Sequence, residues 1–417
     1  MRSGRMRRTR TGSPSRPGRS RRGRGRSTPR RRGRCGGWLA STRGSHRSAG
    51  WRCARCAGSR ATTRRWGSSS RCLQRHPGGG AETYIDLLEG MEGYSHRQAA
   101  LSGTRSRLRG IPSVLRRMRE VRRLATQADL VHVHGDMAAM LVAPSLRGKP
   151  LVITTHGLHR LRRSTHIAGR IVRRRLREAV AASSVTICIA RDEREDLASA
   201  LPASLHDRLV VVPNGVAVAP AADLERRREA RESLGLGEAE VVALFVGQLE
   251  ERKDPLGAIA AVEAARNRGA DLILLVAGSG PLEGEVAAQA GPGVRPLGHR
   301  DDLDDLFAAA DLFLLPSHRE GMSFALLEAM AHGLAPVVAD GTGNAETVGA
   351  AGVVFPAGDL EAMSLRLLDL ADDANARERL GAAARERIRD ELSLDQFLRG
   401  TREQYEAALA GPAPHGA

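Results

Sequence analysis

The sequence predicts an α/β protein built on doubly wound parallel sheets. Three observations carry that expectation. Continuous apolar runs such as Val241–Val246, Leu272–Ala277 and Leu312–Leu315 alternate with longer stretches of helical periodicity, which is how strands buried on both faces of a parallel sheet read. Most runs stop at a tight turn, His156-Gly157, Gly247 or Gly278, and such sheets collect ligands at those carboxyl ends. A chain of 417 residues is also long enough for two domains with cores of their own.

The formal charge of +18 belongs to the N-terminus, because residues 1–80 hold 24 arginines and no Lys, Asp or Glu, so the remainder is net acidic. The same segment carries Cys35, Cys53, Cys56, Cys72 and the tryptophans Trp38, Trp51 and Trp66. So abrupt a change predicts that residues 1–76 stand outside the fold, as a disordered arm or as a non-native segment of the kind a GC-rich coding region yields in a wrong reading frame. Arg71, Gln74, Arg75 and His76 around Leu73 are poor material for a central strand buried on both faces, so the first strand is expected to be missing. Cys53-x-x-Cys56 has no second pair at zinc spacing, and no metal is expected. Cys188, in the apolar run from Val185 to Ala190, reads as a small buried hydrophobe. The lack of a disulfide framework after residue 80 points to a reduced, cytosolic setting. No apolar run reaches the roughly 18 residues of a membrane span. The paired arginines precede no apolar core, so neither a secretory nor a twin-arginine leader is expected.

In chain order, Gly78-Gly79-Gly80 opens an amphipathic helix through Tyr84–Leu88, with glycines where backbone can approach a ligand. A basic helix over 111–126, a strand Asp129–His134 and a strand Leu151–Thr155 follow. The helix over 167–182 carries Arg170, Arg173, Arg174, Arg175 and Arg177; its plain reading is a solvated face, its functional reading a surface for anionic headgroups or a phosphate-bearing acceptor. Leu209–Val212 end at Pro213-Asn214-Gly215-Val216. The second sheet is read from Val241–Val246, Leu272–Ala277, Gly293–Leu297, Asp311–Leu315, Ala335–Ala339 and Ala351–Phe355, with a last helix over Leu394–Leu409.

Between Leu315 and the helix starting near Ser323 stands Pro316-Ser317-His318-Arg319-Glu320-Gly321-Met322. A helix start offers unpaired N–H groups and a positive dipole end, so Gly321, Met322 and Ser323 are placed to present amides to an anion or a sugar oxygen. Glu328 follows Glu320 by two turns, so both carboxylates can face one crevice at different depths.

This pair of glutamates, taken with the glycine loop, His156, the Asn214 turn, Lys253 and the Gly278 turn in the same order, resembles the retaining nucleotide-sugar glycosyltransferases of the GT-B fold, glycosyltransferase family 4, over residues 77–410. The resemblance implies two Rossmann-like domains facing across a cleft: an acceptor-side domain over 77–216, a nucleotide-sugar domain over 217–393, and a helix with a tail over 394–417 that crosses back. It implies catalytic roles for His156, Lys253 and Glu320. It implies donor contacts from Gly79 and Gly80 in the first loop, from Gln248, Arg252, Gly278, His299 and Arg300 at the second sheet, and from Gly321, Met322, Ser323 and Glu328, with Glu320 on the sugar and Glu328 on the ribose. One departure stands out: the family's Gly-Arg-Leu reads Gly-Gln-Leu here, a guanidinium lost to a neutral amide at Gln248, and Arg252 is the candidate replacement. The implied reaction moves a sugar from a nucleotide diphosphate-sugar, a co-substrate rather than a cofactor, to a hydroxyl acceptor, lipid-linked or polysaccharide, in glycan, polysaccharide or glycolipid synthesis. Catalysis is expected without a metal, in the cytoplasm or at the inner face of the membrane through the basic helices. Two other readings are kept: a nucleotide-sugar-binding protein of different activity, 2-epimerase-like or inactive, and nucleic-acid binding through the arginine tail, whose aromatics show no stacking pattern, so that no specific nucleic-acid partner is expected.

Overall fold

The computed structural model describes residues 68–73, 80–98, 110–163, 166–220, 224–341 and 343–411, and Arg64–Ala417 form one compact unit. The described residues contain two parallel six-stranded sheets. The first takes β1 (Ser68–Leu73), β2 (Tyr94–Gln98), β3 (Leu130–His134), β4 (Leu151–Thr154), β5 (Val185–Cys188) and β6 (Leu209–Val211) in the order β2-β1-β3-β4-β5-β6. The second takes β7 (Val241–Val246), β8 (Leu272–Ala277), β9 (Val294–Gly298), β10 (Leu312–Leu315), β11 (Ala335–Ala339) and β12 (Val353–Phe355) in the order β12-β11-β10-β7-β8-β9. The α/β class with two Rossmann-like sheets is therefore as expected. Strand order reverses between β1 and β3 and between β7 and β10, and a crevice opens at such switch points.

The inner strands β3, β4, β5, β7, β8, β10 and β11 are buried on both faces because both faces are covered. Along β7, Val242 and Leu244 pack with Leu326, Leu327 and Met330 of the helix Phe324–Ala331, while Val241, Ala243 and Phe245 pack with Ala258, Ile259 and Val262 of the helix Pro255–Asn267. In the first sheet Leu130 and Val152 face Tyr84 and Leu88, whereas Val131, Val133, Leu151 and Ile153 face Val121, Ala138, Ala139 and Val142. Each such side chain contributes about 1.5–3 kcal/mol of apolar burial. Cys188 is fully buried, and burial pushes its thiol well up.

One expectation is corrected. The first strand is present: β1 lies between β2 and β3, with Ser70 opposite both His96 and Leu130. Ladder hydrogen bonds are made by the backbone, which any residue but proline supplies, so a polar stretch flanked by two partners can complete a sheet. The rest of the expectation for residues 1–76 lies outside the described residues. β2 was also unforeseen, being an edge strand on which Tyr94 and His96 are half-buried and Ser95 and Arg97 exposed, too weak an alternation to register in a polar sequence.

After β6 the chain reaches Val216, which bridges Ser393, and Ser393 opens the helix Leu394–Ala410 with a capping box completed by Gln396. That helix runs back along the first sheet. Phe397 meets the Tyr84 ring edge-on at 4.7 Å, and the Tyr405 hydroxyl lies 2.7 Å from His132 Nδ1 on β3. His132 is buried, so Tyr405→Phe should leave its Nδ1 unsatisfied at a cost of about 1–3 kcal/mol. The expected outcome is a melting temperature lower by a few degrees in a thermal-denaturation scan; an unchanged value would show that water replaces the hydroxyl without cost.

Candidate active site

The carboxyl ends of the two sheets border a common cleft of about 630 Å³. On the second-sheet side β7 ends at Val246, and Gly247 and Gln248 lead to a single 3-10 turn, Glu251–Lys253. The turn stops because Asp254 takes a left-handed conformation (φ 51°) and caps the next helix, its Oδ1 accepting the Gly257 N–H at 3.0 Å. The loop is tied to the one after β10 by the His318 N–H, which donates to the Arg252 carbonyl at 3.2 Å. Lys253 is thereby carried into the cleft wall, buried, with Nζ 2.6 Å from Glu320 Oε1. The Arg252 guanidinium reaches the same oxygen at 3.1 Å and Glu250 Oε1 at 2.6 Å. Burial pushes the Glu320 carboxyl up, but Lys253 and Arg252 outweigh it and hold the group below the usual range.

Gly321, Met322 and Ser323 follow at the start of the helix Phe324–Ala331, and Glu328 lies deeper along it, lining the same cleft. No cation is among the causes acting on Glu328; burial and then the neighbouring Asp304 push its carboxyl up to about 7. The two glutamates thus differ sharply, one held ionised by two cations and the other poised near neutrality.

On the first-sheet side, β3 delivers His134 and β4 delivers His156, with His134 Nδ1 3.0 Å from His156 Nε2. Burial, then the neighbouring histidines, lowers His134 well below its usual range. His156 adopts φ 55°, and the next backbone N–H, that of Gly157, donates to the carboxylate of the fully buried Glu193, whose other oxygen accepts the Ile189 N–H at 2.7 Å. Glu193 therefore fixes the turn that aims His156. Ala81, Glu82 and Thr83 of the helix Gly80–Glu89, together with Asp136, complete this wall.

Most of the expected residues meet here: His156, Gln248, Arg252, Lys253, Glu320, Gly321, Met322, Ser323 and Glu328 all line the cleft. Gly80 begins the helix that lines it, and Gly79 lies outside the described residues. Gly278, His299 and Arg300 are not among the lining residues. Gly278 is needed for backbone packing, since a Cβ there would sit 1.8 Å from the Gly247 carbonyl oxygen; His299 lies 3.2 Å from exposed Asp301, and Arg300 pairs with Asp302. His134 and Asp136 line the cleft without having been singled out, although His134 ends its strand just as His156 does, and the expected Asn214 turn brings Asn214 to the same lining.

The two sides touch at few points. A Cβ on Gly321 would lie 2.7 Å from Ile189 Cδ1 and 3.1 Å from Gly157 Cα, so only glycine lets the Glu320 loop approach the His156 turn. Asn214 Nδ2 donates to the Met322 carbonyl at 3.0 Å. Across the cleft edge Glu346 accepts the N–H groups of Arg191 and Asp192, at 2.8 and 3.1 Å, where the helix Arg191–Ser199 begins.

The family model described as glycosyl transferases group 1 matches residues 226–387, and that described as glycosyltransferase family 4 matches residues 76–219. A D-inositol 3-phosphate glycosyltransferase of Salinispora arenicola is 32% identical over 326 residues, 71% of this chain and 72% of the relative. The chain belongs to glycosyltransferase family 4. The alpha-maltose-1-phosphate synthase of Mycolicibacterium smegmatis is 30% identical, over 69% of this chain and 81% of its own. Among solved structures, Anabaena Alr3699/HepE in complex with UDP superposes with a TM-score of 0.68 at 16% identity, covering 82% of this chain and 100% of that one. WaaG, a glycosyltransferase involved in lipopolysaccharide biosynthesis, gives 0.64 at 17%, covering 83% and 100%. These likenesses show the GT-B fold, and the cleft between the sheets is the candidate active site of this family 4 glycosyltransferase. In such an enzyme Gly321→Ala should displace the Glu320 loop from the His156 turn, and a shift of about 1 Å at reacting groups can cost about 10²-fold. Initial rates of sugar transfer should fall at least tenfold with the melting temperature nearly kept; wild-type rates would mean that the close approach is not required.

Proposed function

We propose that this cleft transfers a sugar from a nucleotide diphosphate-sugar to an acceptor hydroxyl with retention at the anomeric carbon, and that side-chain cations rather than a metal ion stabilise the departing diphosphate. The observation that carries the reading is the meeting of Lys253 and Arg252 on Glu320 in a cleft whose opposite wall presents His156. As the glycosidic bond breaks, negative charge grows on the diphosphate, and cations already fixed in place stabilise it without reorganising. Glu320 keeps both cations aimed at the cleft, and the amides of Gly321, Met322 and Ser323 at the helix start add partial positive charge. A carboxylate bound by two cations is a poor nucleophile, which favours attack by the acceptor from the face the leaving group departs over a covalent Glu320 intermediate. Glu328 takes the ribose hydroxyls of the donor.

Gln248 leaves the diphosphate one guanidinium short of the family pattern, and Arg252, tethered by Glu250, supplies it. Lys253→Ala should reduce turnover by about 10²–10³, and Arg252→Ala should also lose at least tenfold. Restoring the guanidinium at the neighbouring position, Gln248→Arg in the Arg252→Ala background, should recover most of that loss. Steady-state kinetics on the four proteins decide it, and a double variant no better than Arg252→Ala alone would remove Arg252 from the diphosphate site.

The raised carboxyl of Glu328 sets a pH dependence. Its value in the fold is above that of a free carboxylate, so ionising it costs stability as pH rises through the interval between the two. Ribose hydroxyls donate to the ionised form, so the affinity for a nucleoside diphosphate should climb as pH rises toward about 7 and level off above it, by up to about tenfold per pH unit. Calorimetric titration of UDP, GDP and ADP between about pH 6 and pH 8 should show that rise in the wild type, over and above the titration of the phosphates that Glu328→Gln retains. Equal pH slopes in the two proteins would take the ribose from Glu328.

The acceptor reading rests on relatives. One relative, from Escherichia coli, is named for transfer from UDP-Gal to a GlcNAc-diphosphoundecaprenol, and another, from Corynebacterium glutamicum, for mannosylating a phosphatidylinositol monomannoside. A glycan, polysaccharide or glycolipid pathway at the cytoplasmic side of a membrane fits these names. Acceptor-dependent release of the nucleoside diphosphate separates transfer from a 2-epimerase-like or purely binding role.

A further inference from the structure

We propose that His134 is a positioning residue that holds His156 in a single neutral tautomer, with its proton on Nδ1, so that His156 meets a substrate only as a hydrogen-bond donor; this rests on the transferase reading of the cleft. The two rings come from adjacent strands, His134 from the end of β3 and His156 from the turn after β4, and one hydrogen bond joins His134 Nδ1 to His156 Nε2 at 3.0 Å. The rest of the His134 ring decides which of the two donates. His134 is fully buried, and among the described residues its Nε2 is closed to solvent without a hydrogen-bond partner. Burial, then the neighbouring histidines, keeps the ring neutral, and a neutral imidazole has one N–H and one lone pair. If His156 donated through Nε2, His134 would accept at Nδ1 and carry its own proton on Nε2, leaving a buried N–H unpaired. Protonating His156 on both nitrogens would force the same orphan. If His134 donates instead, only a lone pair is left unpaired on its Nε2, and a buried acceptor without a partner is tolerated more readily than a buried donor. The bond therefore runs from His134 to His156, and the tautomer of His156 follows from it.

The surroundings hold the His134 ring in place. His132 and His134, two apart on β3, share a face of the strand, and their ring centroids lie 3.9 Å apart. His132 is itself pinned at both nitrogens, by the Tyr405 hydroxyl and by Thr154 Oγ1, each at 2.7 Å. The buried Tyr84 ring meets His134 and His156 edge-on, at 5.2 and 4.8 Å between centroids. Turning the His134 ring over would put a carbon where Nδ1 stands and break the bond to His156. The half-buried His156 is thus restrained twice, in its backbone by Glu193 through the Gly157 N–H and in its ring by His134. With its lone pair taken by His134, the imidazole in the cleft wall can donate to a substrate oxygen but cannot take the proton of an acceptor hydroxyl.

The test reads the tautomer directly. Two-bond nitrogen–proton correlation spectra of the full-length protein, labelled with heavy nitrogen at histidine and taken at neutral pH, distinguish the two neutral tautomers and the imidazolium, and His156→Gln assigns the signal. His156 should show the Nδ1–H pattern; an Nε2–H or doubly protonated ring would overturn the proposal without any variant of His134. His134→Asn sets an amide N–H where Nδ1 stands and keeps the donor, whereas His134→Leu removes it. Steady-state transfer should fall about tenfold or more in His134→Leu and stay within about threefold of wild type in His134→Asn, with His156 leaving the Nδ1–H form in the leucine variant alone. Equal losses in the two variants with the His156 signal unchanged would reduce His134 to a packing role and overturn the positioning one. Calorimetric binding of nucleoside diphosphate, assigned to the opposite wall, should match wild type in both. A wild type with His156 in the Nδ1–H form that transfers sugar from no nucleotide donor would sink the transferase reading of the cleft and leave the tautomer assignment standing.

Discussion

A lysine ammonium and a glutamate carboxylate are each costly to bury alone, and Lys253 and Glu320 are buried together 2.6 Å apart, one on the loop after β7 and the other on the loop after β10. Such a pair adds little net stability against an apolar alternative, yet removing one member strands the other. Its value lies in position. β7 and β10 flank the reversal of strand order in the second sheet, and the contact locks their two loops into one surface. The left-handed Asp254 cap, the His318 to Arg252 backbone bond and the Glu250 tether of Arg252 all hold that same surface. The ion cluster is thus satisfied in the resting protein, and in the proposed transfer its two cations are already in place for the charge that grows on the departing diphosphate.

The first sheet supplies a contrasting environment. His132 and His134 are kept neutral by burial and then by neighbouring histidines, their rings 3.9 Å apart; His132 has both nitrogens committed, Nδ1 to Tyr405 and Nε2 to Thr154, and His134 has its Nδ1 on His156. Tyr405 comes from the last helix, so the segment that crosses back between the sheets is in direct contact with the stack of rings leading to the cleft. A cationic wall on one side and a neutral imidazole wall on the other suit a reaction in which a dianionic leaving group departs toward one wall while an uncharged hydroxyl approaches along the other.

The second sheet was almost wholly legible in the sequence because its inner strands are covered on both faces: Val241–Val246, Leu272–Ala277 and Ala335–Ala339 read as strands at their observed limits. β1 and β2 were not legible, because their residues are polar and the signal for a strand is apolar burial, whereas what holds β1 is backbone pairing on both edges. The site follows the same division. Glu320, Lys253 and His156 announce themselves as polar residues where apolar runs stop. The ends of β8 and β9 carry the same signature at Gly278 and His299, yet β8 and β9 lie on the far side of β7 from β10, and their end loops do not line the cleft. Spacing identifies strand ends, and only strand order tells which of them meet. Glu193 gave no signal, since a glutamate in a stretch as charged as Arg191–Asp196 looks solvated, and it is the fold that turns it inward onto two backbone amides.

How the two halves meet follows from which contacts are apolar. At the back, Val216, Phe397 and Tyr84 belong to one continuous core, and the Val216 to Ser393 bridge fixes both chain crossings there. At the front, the described residues meet at the Gly321 approach beside Ile189, at a buried amide bond from Asn214 and at the Glu346 carboxylate on the exposed N–H groups of Arg191 and Asp192. Exposed hydrogen bonds exchange with water at little net cost, while separating the back contacts would expose core. Relative movement of the halves is therefore cheapest as a rotation about the crossings that opens the front. Under the proposed function, a donor diphosphate on Lys253 and Arg252 would add contacts on the open side, so cations placed to stabilise the leaving group would also favour the closed arrangement in which His156 faces Glu320.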